Sequence, residues 1–275
     1  MQEDMMPNDR DLRQVRLAVE NLTSTYDGEG GARDVSLTVR EGEFIGLIGA
    51  NGSGKTTVLK NIYRAMKPES GRLLFDGEDL TAMSYRDSAK KIAVVGQEND
   101  VPFDFLVPEI VAMGRSPHKR LFSIDTRHDK EVVQKALDAL GIGDLAQKSF
   151  AHLSGGQKQR ALIARALAQE ADFYVLDEPT NHLDIGYQIQ IFNLVASLGV
   201  TVVSAVHDLN LAALYCDRIY AMEKGRLVLE GTPEEVLTEA NIRRLYGVTS
   251  RVRKSADTGK LTIEFLPNDG VNSRA

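Results

Sequence analysis

Residues 49–56 read Gly49-Ala50-Asn51-Gly52-Ser53-Gly54-Lys55-Thr56 and fit the pattern G-x-x-x-x-G-K-[ST]. Glycines in such a loop let successive backbone N–H groups curl around phosphate oxygens, and the following helix adds its positive N-terminal end. The lysine can reach the β- and γ-phosphates, and the final hydroxyl can ligate Mg²⁺. An apolar run over 44–48 and helically spaced apolar residues over 58–66 give the strand–loop–helix context that this chemistry requires. The sequence therefore predicts a site for nucleotide phosphates.

The pattern of apolar residues on either side of this loop predicts an α/β fold. Residues 15–19 and 35–39 alternate apolar and polar side chains, as half-buried strands do. The runs 173–176 and 200–206 are continuously apolar, which is typical of parallel strands covered on both faces. We expect a helix at about 189–198 between these two strands, mainly helices from about 100 to 170, short helices at 233–237 and 242–246, and a last strand over 261–265.

Composition excludes several classes of protein. The chain has 275 residues with 43% hydrophobic and 26% charged side chains, so wholesale disorder and a small disulfide scaffold are excluded. A net charge of −6 argues against a nucleic-acid partner, and the single cysteine, Cys216, fits a reducing compartment. No apolar run approaches a membrane span, and the start Met1-Gln2-Glu3-Asp4 is unlike a secretory signal. We expect a cytoplasmic protein.

Two acidic residues follow the apolar run 173–176, namely Asp177 and Glu178. A carboxylate that ends a buried strand beside a phosphate loop can serve Mg²⁺ directly or through water, and Asp177 is assigned that role. Glu178, one residue further, can orient or deprotonate an attacking water. The pair predicts hydrolysis at the phosphate site.

A second anion-binding segment, Leu153-Ser154-Gly155-Gly156-Gln157, precedes a helix. Ser154 can cap this helix, and the two glycines expose N–H groups at its positive end. The run LSGGQ resembles the signature of the ATP-binding cassette (ABC) family. The order of motifs is similar to ABC ATPases from about residue 15 to 232, since it contains Tyr26, the phosphate loop, Gln97, LSGGQ, the acidic strand end, Asn181-His182-Leu183-Asp184 and His207.

The resemblance implies a fold and a set of site residues. The fold is a P-loop NTPase cassette with a RecA-like core of mostly parallel strands, an antiparallel β subdomain and a helical subdomain at about 98–170. Tyr26 matches the aromatic residue that stacks on adenine, and His207 matches the histidine that contacts the γ-phosphate. Gln97 matches the glutamine that touches Mg²⁺ and the attacking water and that sits at the junction with the membrane subunit. The implied catalytic residues are Glu178, His207 and Gln97, and the implied Mg²⁺ ligands are Thr56, Gln97 and Asp177. The implied ATP-binding residues are Tyr26, Gly49, Ala50, Asn51, Gly52, Ser53, Gly54, Lys55, Thr56, Thr57, Ser154, Gly155, Gly156 and Gln157.

The resemblance also implies partners and a location. Cassettes of this family pair head to tail, each ATP lying between one phosphate loop and the other chain's LSGGQ, so we expect a homodimer. We further expect polytopic permease subunits, indirect dependence on an extracytoplasmic binding protein, and peripheral attachment to the cytoplasmic face of the inner membrane. Residues 13–247 form the expected ATPase domain, with a flexible N-terminus at 1–12 and an extension at 248–275 that holds one short strand and a loose tail.

A further resemblance concerns the transported cargo. Residues 108–118 are similar to the E-x-V-x-x-G-R-x-P-H stretch of importers for iron-siderophores, haem and vitamin B12, although Val107 and Gly186 depart from that branch. This implies an ATPase that powers import of such a cargo, with exposed residues over 103–115 meeting the permease. The alternatives are the ATPase of a manganese, zinc or molybdate importer and, outside transport, a soluble ABC ATPase or a non-catalytic cassette.

Overall fold

The computed structural model describes residues 13–26, 29–96, 104–120, 124–180 and 183–267. The expected flexible N-terminus at 1–12, the loose tail after 267, Gln97, Asn181 and His182 lie outside these ranges. The described residues form two main sheets, a set of helices and a C-terminal hairpin.

The main sheet confirms the predicted parallel core. Its strand order is β10-β9-β3-β8-β7-β6, and every pairing is parallel except the one between β9 and β10. Side chains of the central strands are buried on both faces, which explains their continuously apolar sequences. The strands are β3 (Phe44–Ile48), β6 (Ile92–Val95), β7 (Phe173–Asp177), β8 (Thr201–Ala205), β9 (Arg218–Glu223) and β10 (Arg226–Gly231).

The second sheet is antiparallel, as predicted, and has the order β2-β1-β4-β5. Its inward side chains form one apolar core together with β3 and the first helix, so the phosphate loop between β3 and that helix is supported from below. The strands are β1 (Val15–Tyr26), β2 (Glu29–Arg40), β4 (Ser70–Phe75) and β5 (Glu78–Asp79).

The helices flank the main sheet and also form most of the described part of residues 98–170. They are α1 (Lys55–Ile62), α2 (Tyr85–Lys91), α3 (Val107–Ala112), α4 (Arg127–Ala139), α5 (Gly155–Ala168), α6 (Ile185–Ser197), α7 (Leu209–Tyr215), α8 (Pro233–Val236) and α9 (Glu239–Tyr246). Helix α6 begins four residues before the predicted start because the Asp184 side chain accepts a hydrogen bond from the Tyr187 N–H and caps it.

The C-terminal extension has two strands where the sequence predicted one. Strand β11 (Thr249–Lys254) pairs antiparallel with β12 (Leu261–Leu266) along six residues each. The alternation in β12 was visible in the sequence. Strand β11 was missed because its sequence TSRVRK carries a single apolar residue, Val252, and it owes its conformation to pairing with β12. Strands β9 and β10 were also missed, and they form a hairpin whose turn holds Lys224 and Gly225 at positive φ.

Within the stretch 103–115, whose exposed positions are expected to meet the permease, Arg115 is not one of the exposed positions. Arg115 is only 3% exposed, and its guanidinium donates to the Asp129 Oδ1, the Glu170 Oε2 and the Ala168 carbonyl at 2.7–2.9 Å. A Cβ at Gly114 would lie 2.1 Å from the Arg165 carbonyl oxygen. The Gly-Arg pair of the 108–118 stretch therefore joins α3 to the end of α5 and to the start of α4. Phe103 lies outside the described residues.

We predict that Arg115→Ala destabilises the chain strongly, because it leaves Asp129 buried without its charged partner. Breaking such a buried pair costs about 3–5 kcal/mol. The pKa of Asp129 is held well below its ordinary value by hydrogen bonds from Thr126 and then from Arg115. Its contribution to stability is therefore complete above its unfolded pKa of about 3.9 and is lost as pH falls towards the native pKa.

Urea unfolding at pH 7 measures the free energy of unfolding. Arg127→Ala is the matched control, because Arg127 pairs with Glu131 at 2.8 Å but is 94% exposed, so we expect a loss of less than about 1 kcal/mol. Equal losses in the two variants would contradict this account.

Candidate functional site

The phosphate loop leaves the carboxyl end of β3 and enters α1. Its conformation requires glycine at two positions: φ is +144° at Gly49 and +102° at Gly54. A Cβ at Gly54 would lie 2.4 Å from the Gly31 carbonyl oxygen, and one at Gly49 would lie 2.3 Å from the Met222 carbonyl oxygen. The loop is thus packed between β2 and β9, with its N–H groups at the positive end of α1.

Lys55, the first residue of α1, is buried and folds back over this loop. Its Nζ donates to the Gly49 carbonyl at 2.7 Å and to the Ala50 carbonyl at 3.3 Å. Burial lowers the pKa of Lys55, and the nearby charges of Glu178 and Asp177 oppose that shift. Phosphate oxygens can replace the two carbonyls as acceptors while adding the opposite charge that the buried ammonium lacks at short range.

Asp177 lies at the end of β7, opposite the start of α1. The Thr56 hydroxyl donates to the Asp177 Oδ1 at 3.1 Å, whereas the Asp177 Oδ2 is buried and has no hydrogen-bond partner among the residues that the structure describes. Burial raises the pKa of Asp177, and the hydrogen bond from Thr56 acts in the opposite direction. A hydroxyl and an unsatisfied carboxylate oxygen are hard oxygen donors, so the donor set fits a Mg²⁺ ion.

Glu178 and His207 meet above the loop, although they are 29 residues apart in sequence. The His207 Nε2 lies 2.5 Å from the Glu178 Oε1. Glu178 has a φ of +54°, which a residue with a side chain rarely adopts. The fold therefore holds the predicted general base in a strained conformation beside the predicted γ-phosphate contact.

An open cavity of about 830 Å³ is lined by the phosphate loop, Glu178 and His207. Tyr26, which is 48% exposed, lies on its wall together with the phosphate loop, Thr57, Glu178 and His207. The size and the mixture of an aromatic ring with a glycine loop suit a nucleotide. Gly30 and Gly31 of β2 also line the cavity and were missed as site residues. Their only sequence signal was the glycine-rich stretch 28–31, to which both residues belong.

The second anion-binding segment lies elsewhere on this chain. Ser154 caps α5 reciprocally with Gln157: the Gln157 N–H bonds to the Ser154 Oγ at 3.4 Å, and the Ser154 N–H bonds to the Gln157 Oε1 at 3.1 Å. Ser154 and Gly155 are exposed. Within the described residues, the cavity wall does not include residues 154–157, so one chain does not bring the two predicted halves of the site together.

Comparison with known proteins decides the family. The profile of the ABC transporter family matches residues 32–181, which hold the phosphate loop, the LSGGQ segment and the acidic strand end. The chain belongs to the ABC transporter family. It is 40% identical over 238 residues to the ferric enterobactin transport ATP-binding protein FepC of Escherichia coli (strain K12), covering 85% of this chain and 88% of that protein.

Two further relatives extend the comparison. The cobalamin import ATP-binding protein BtuD of Halobacterium salinarum (strain ATCC 29341 / DSM 671 / R1) is 39% identical over 258 residues, which are 92% of this chain and 64% of that protein. An ATP-binding cassette solved as a dimer in a post-hydrolysis state with ADP and phosphate is 26% identical with a TM-score of 0.70, covering 79% of this chain and 98% of that one.

These matches fix the class of activity. This ABC cassette is the ATP-binding subunit of an importer, and it hydrolyses ATP in a reaction coupled to transport. Among the helices of the described ranges, none has the length and apolar character needed to cross a bilayer.

Proposed function

We propose that two copies of this chain hydrolyse MgATP at shared sites to drive import of an iron-siderophore complex through a membrane permease. The observation that carries the hydrolytic part is the Glu178–His207 contact at 2.5 Å directly above the phosphate loop. The triphosphate lies along the loop, with Lys55 between the β- and γ-phosphates and Tyr26 against the adenine ring.

The metal-binding part of the proposal rests on Asp177 and Thr56. These two residues and Gln97, which lies outside the described residues, would hold Mg²⁺, whose charge offsets that of the β- and γ-phosphates. The unpartnered Asp177 Oδ2 supports this role, because a buried carboxylate oxygen without a donor is otherwise costly.

Hydrolysis needs a base for the water that attacks the γ-phosphate. Glu178 accepts the water proton, the oxygen bonds to phosphorus and ADP leaves. The His207 Nε2 contacts the Glu178 carboxylate. When His207 turns to donate to a γ-phosphate oxygen instead, the carboxylate is released for the water. The histidine thereby couples ATP binding to the activation of the base.

The dimer follows from the exposed cap of α5. Gly155 and Gly156 place their N–H groups at the N-terminus of a 14-residue helix, and the first turn of that helix contains no acidic residue. A phosphate held by the loop of a second copy would meet this positive end. ATP then stabilises the dimer, because it makes contacts in the pair that it cannot make in one chain.

We predict that Glu178→Gln retains ATP and Mg²⁺ but slows hydrolysis by about 10²–10⁴-fold, since the amide is not a base. ATP then persists at the shared site, and the variant elutes as a dimer with ATP and as a monomer without it in gel filtration with light scattering. Adding Ser154→Arg removes that dimer, because the bulky cation fills the cap of α5.

Lys55→Ala is the control for the phosphate loop itself, and we expect it to weaken ATP binding in a filter or fluorescence assay. A Glu178→Gln chain that stays monomeric at saturating ATP, or that hydrolyses ATP at the parent rate, would overturn the shared site.

A groove of about 280 Å³ is the surface that we assign to the permease. It lies beside Ile92 and Val94 of β6, the strand that leads to Gln97, the residue whose family counterpart sits at the membrane-subunit junction. Tyr85 at its rim is 73% exposed and stacks on the Arg64 guanidinium at 4.2 Å. Tyrosine and arginine are among the residues that most often dominate the binding energy of protein interfaces.

We predict that Tyr85→Ala reduces recovery of the chain with membranes when the permease is co-expressed, because the anchor of the groove is lost. ATP binding by the isolated variant reports that it is folded. Ile124→Ala, which truncates an apolar side chain that is 89% exposed, is the control and should leave membrane recovery unchanged. Equal recovery of the parent and Tyr85→Ala would rule out this groove.

The cargo assignment rests on similarity to FepC and BtuD and on the 108–118 stretch. The first relative names a ferric siderophore and the second cobalamin, so both cargoes, with haem, belong to the proposal and iron chelates come first. The alternative function is that of an ATPase for manganese, zinc or molybdate import, which works by the same mechanism.

We predict that deletion of the chain abolishes growth on a ferric siderophore as sole iron source, since uptake of the chelate would lose its energy supply. Haem and cobalamin are tested in parallel, and the parent chain should restore growth where the Glu178→Gln variant does not. Normal uptake of all three cargoes in the deletion strain would refute the assignment.

A further inference from the structure

The C-terminal part of the chain contacts the start of the phosphate loop. The hydroxyl oxygen of Tyr246, the last residue of α9, accepts a hydrogen bond from the Gly49 N–H at 2.9 Å, across 197 residues of sequence. The last pairing of β3 with β9 is Ile48 with Ala221, so the Gly49 N–H is the first amide beyond the sheet ladder. Its acceptor comes from α9.

Gly49 is therefore held on both sides of the residue. Its N–H is bound by Tyr246, and its carbonyl accepts from the Lys55 Nζ at 2.7 Å. Gly49 itself is buried. Burial raises the pKa of Tyr246 to about 12, so the phenol is neutral at physiological pH and its oxygen remains an acceptor. The phenol fixes the residue on which the Lys55 ammonium rests.

A second link joins the C-terminal hairpin to the start of α7, directly after the segment that contains His207 (the histidine loop, residues 206–208). The Asn210 Nδ2 donates to the Ile263 carbonyl at 3.2 Å, and the Ile263 N–H donates to the Asn210 Oδ1 at 2.8 Å. Asn210 lies three residues after His207. His207 and Phe265 of β12 line a cavity of about 330 Å³. The hydrogen bonds of Asn210 join the hairpin to the segment that follows His207.

We propose that Tyr246 is a positioning residue for ATP binding, and that residues 239–266 tether both loops that face the phosphates, through Tyr246 to Gly49 and through Asn210 to the histidine loop. The proposal rests on the assigned role of residues 49–56 as the phosphate loop. It gives α9, and through Ile263 the C-terminal extension, a supporting function in the nucleotide site without a direct contact to the phosphates.

The two links predict different kinetic effects. Tyr246→Phe removes one hydroxyl, leaves the Gly49 N–H without its acceptor and loosens the loop that binds ATP. We expect KM for ATP, and the Kd of a fluorescent ATP analogue, to rise about three- to tenfold, which is the range that one neutral hydrogen bond supplies. We expect kcat to change by less than about twofold, since Glu178 and His207 keep their contact.

Tyr215→Phe is the matched control, because its hydroxyl bonds to the Asn193 Oδ1 at 2.8 Å and not to the phosphate loop. It should leave KM and Kd unchanged. Amide hydrogen exchange over residues 46–52 gives a second measurement, and Tyr246→Phe alone should lose protection there. For the other link, we expect Asn210→Ala to lower kcat with KM retained, whereas Asn193→Ala should leave both unchanged.

The outcomes separate this proposal from the one on which it rests. If Lys55→Ala binds the ATP analogue as tightly as the parent, the phosphate-loop assignment fails. If Lys55→Ala loses binding while Tyr246→Phe keeps the parent KM, Kd and exchange protection, the positioning role of Tyr246 is overturned. A Tyr246→Phe variant that matches Tyr215→Phe in melting temperature and in KM would show a structural hydroxyl only.

Discussion

The buried ammonium group of Lys55 is the constraint on which the site depends. A charge removed from water is costly unless polar groups replace the lost solvent, and here two loop carbonyls do so at 2.7 and 3.3 Å. The carbonyls can face the ammonium only if the loop turns back on itself, which requires the positive φ of Gly49 and Gly54. The lysine therefore shapes the loop before any nucleotide arrives. Because the two close contacts of the ammonium are with neutral carbonyls, a phosphate oxygen can add a negatively charged partner at the same place.

A second buried charge balances the first at the end of the adjoining strands. Asp177 and Glu178 raise the pKa of Lys55 against the effect of burial, while Lys55 in turn favours ionisation of Asp177. The strain at Glu178, with its φ of +54°, belongs to the same arrangement, since it turns the second carboxylate towards His207. Packing of the parallel sheet beneath the site holds these unfavourable features in place.

Features that depend on neighbours in the sequence could be predicted, and contacts between distant parts of the chain could not. The parallel strands and the strand–loop–helix context of residues 49–56 carry local patterns, so the burial of these strands followed from spacing. The roles assigned to Asp177 and Glu178 stay predictions. The burial of Arg115 could not be predicted, because its partners Asp129 and Glu170 come from α4 and from the turn after α5. The link from Tyr246 to Gly49 could not be predicted either, since a tyrosine at the end of a short helix carries no signal of the N–H donor 197 residues away.

The helices differ in the charge of their first turns. Helices α4 and α8 begin with capping boxes whose third residues, Asp129 and Glu235, bring a negative charge to the helix N-terminus. Helix α5 has the same reciprocal cap, but its third residue is the neutral Gln157, and α1 also has no acid in its first turn. The positive ends of α1 and α5 are thus left uncompensated by first-turn acids. Within the described residues, α1 opens into the nucleotide cavity and residues 154–157 do not line it, so in the proposed function the two helix ends act on one triphosphate from different chains.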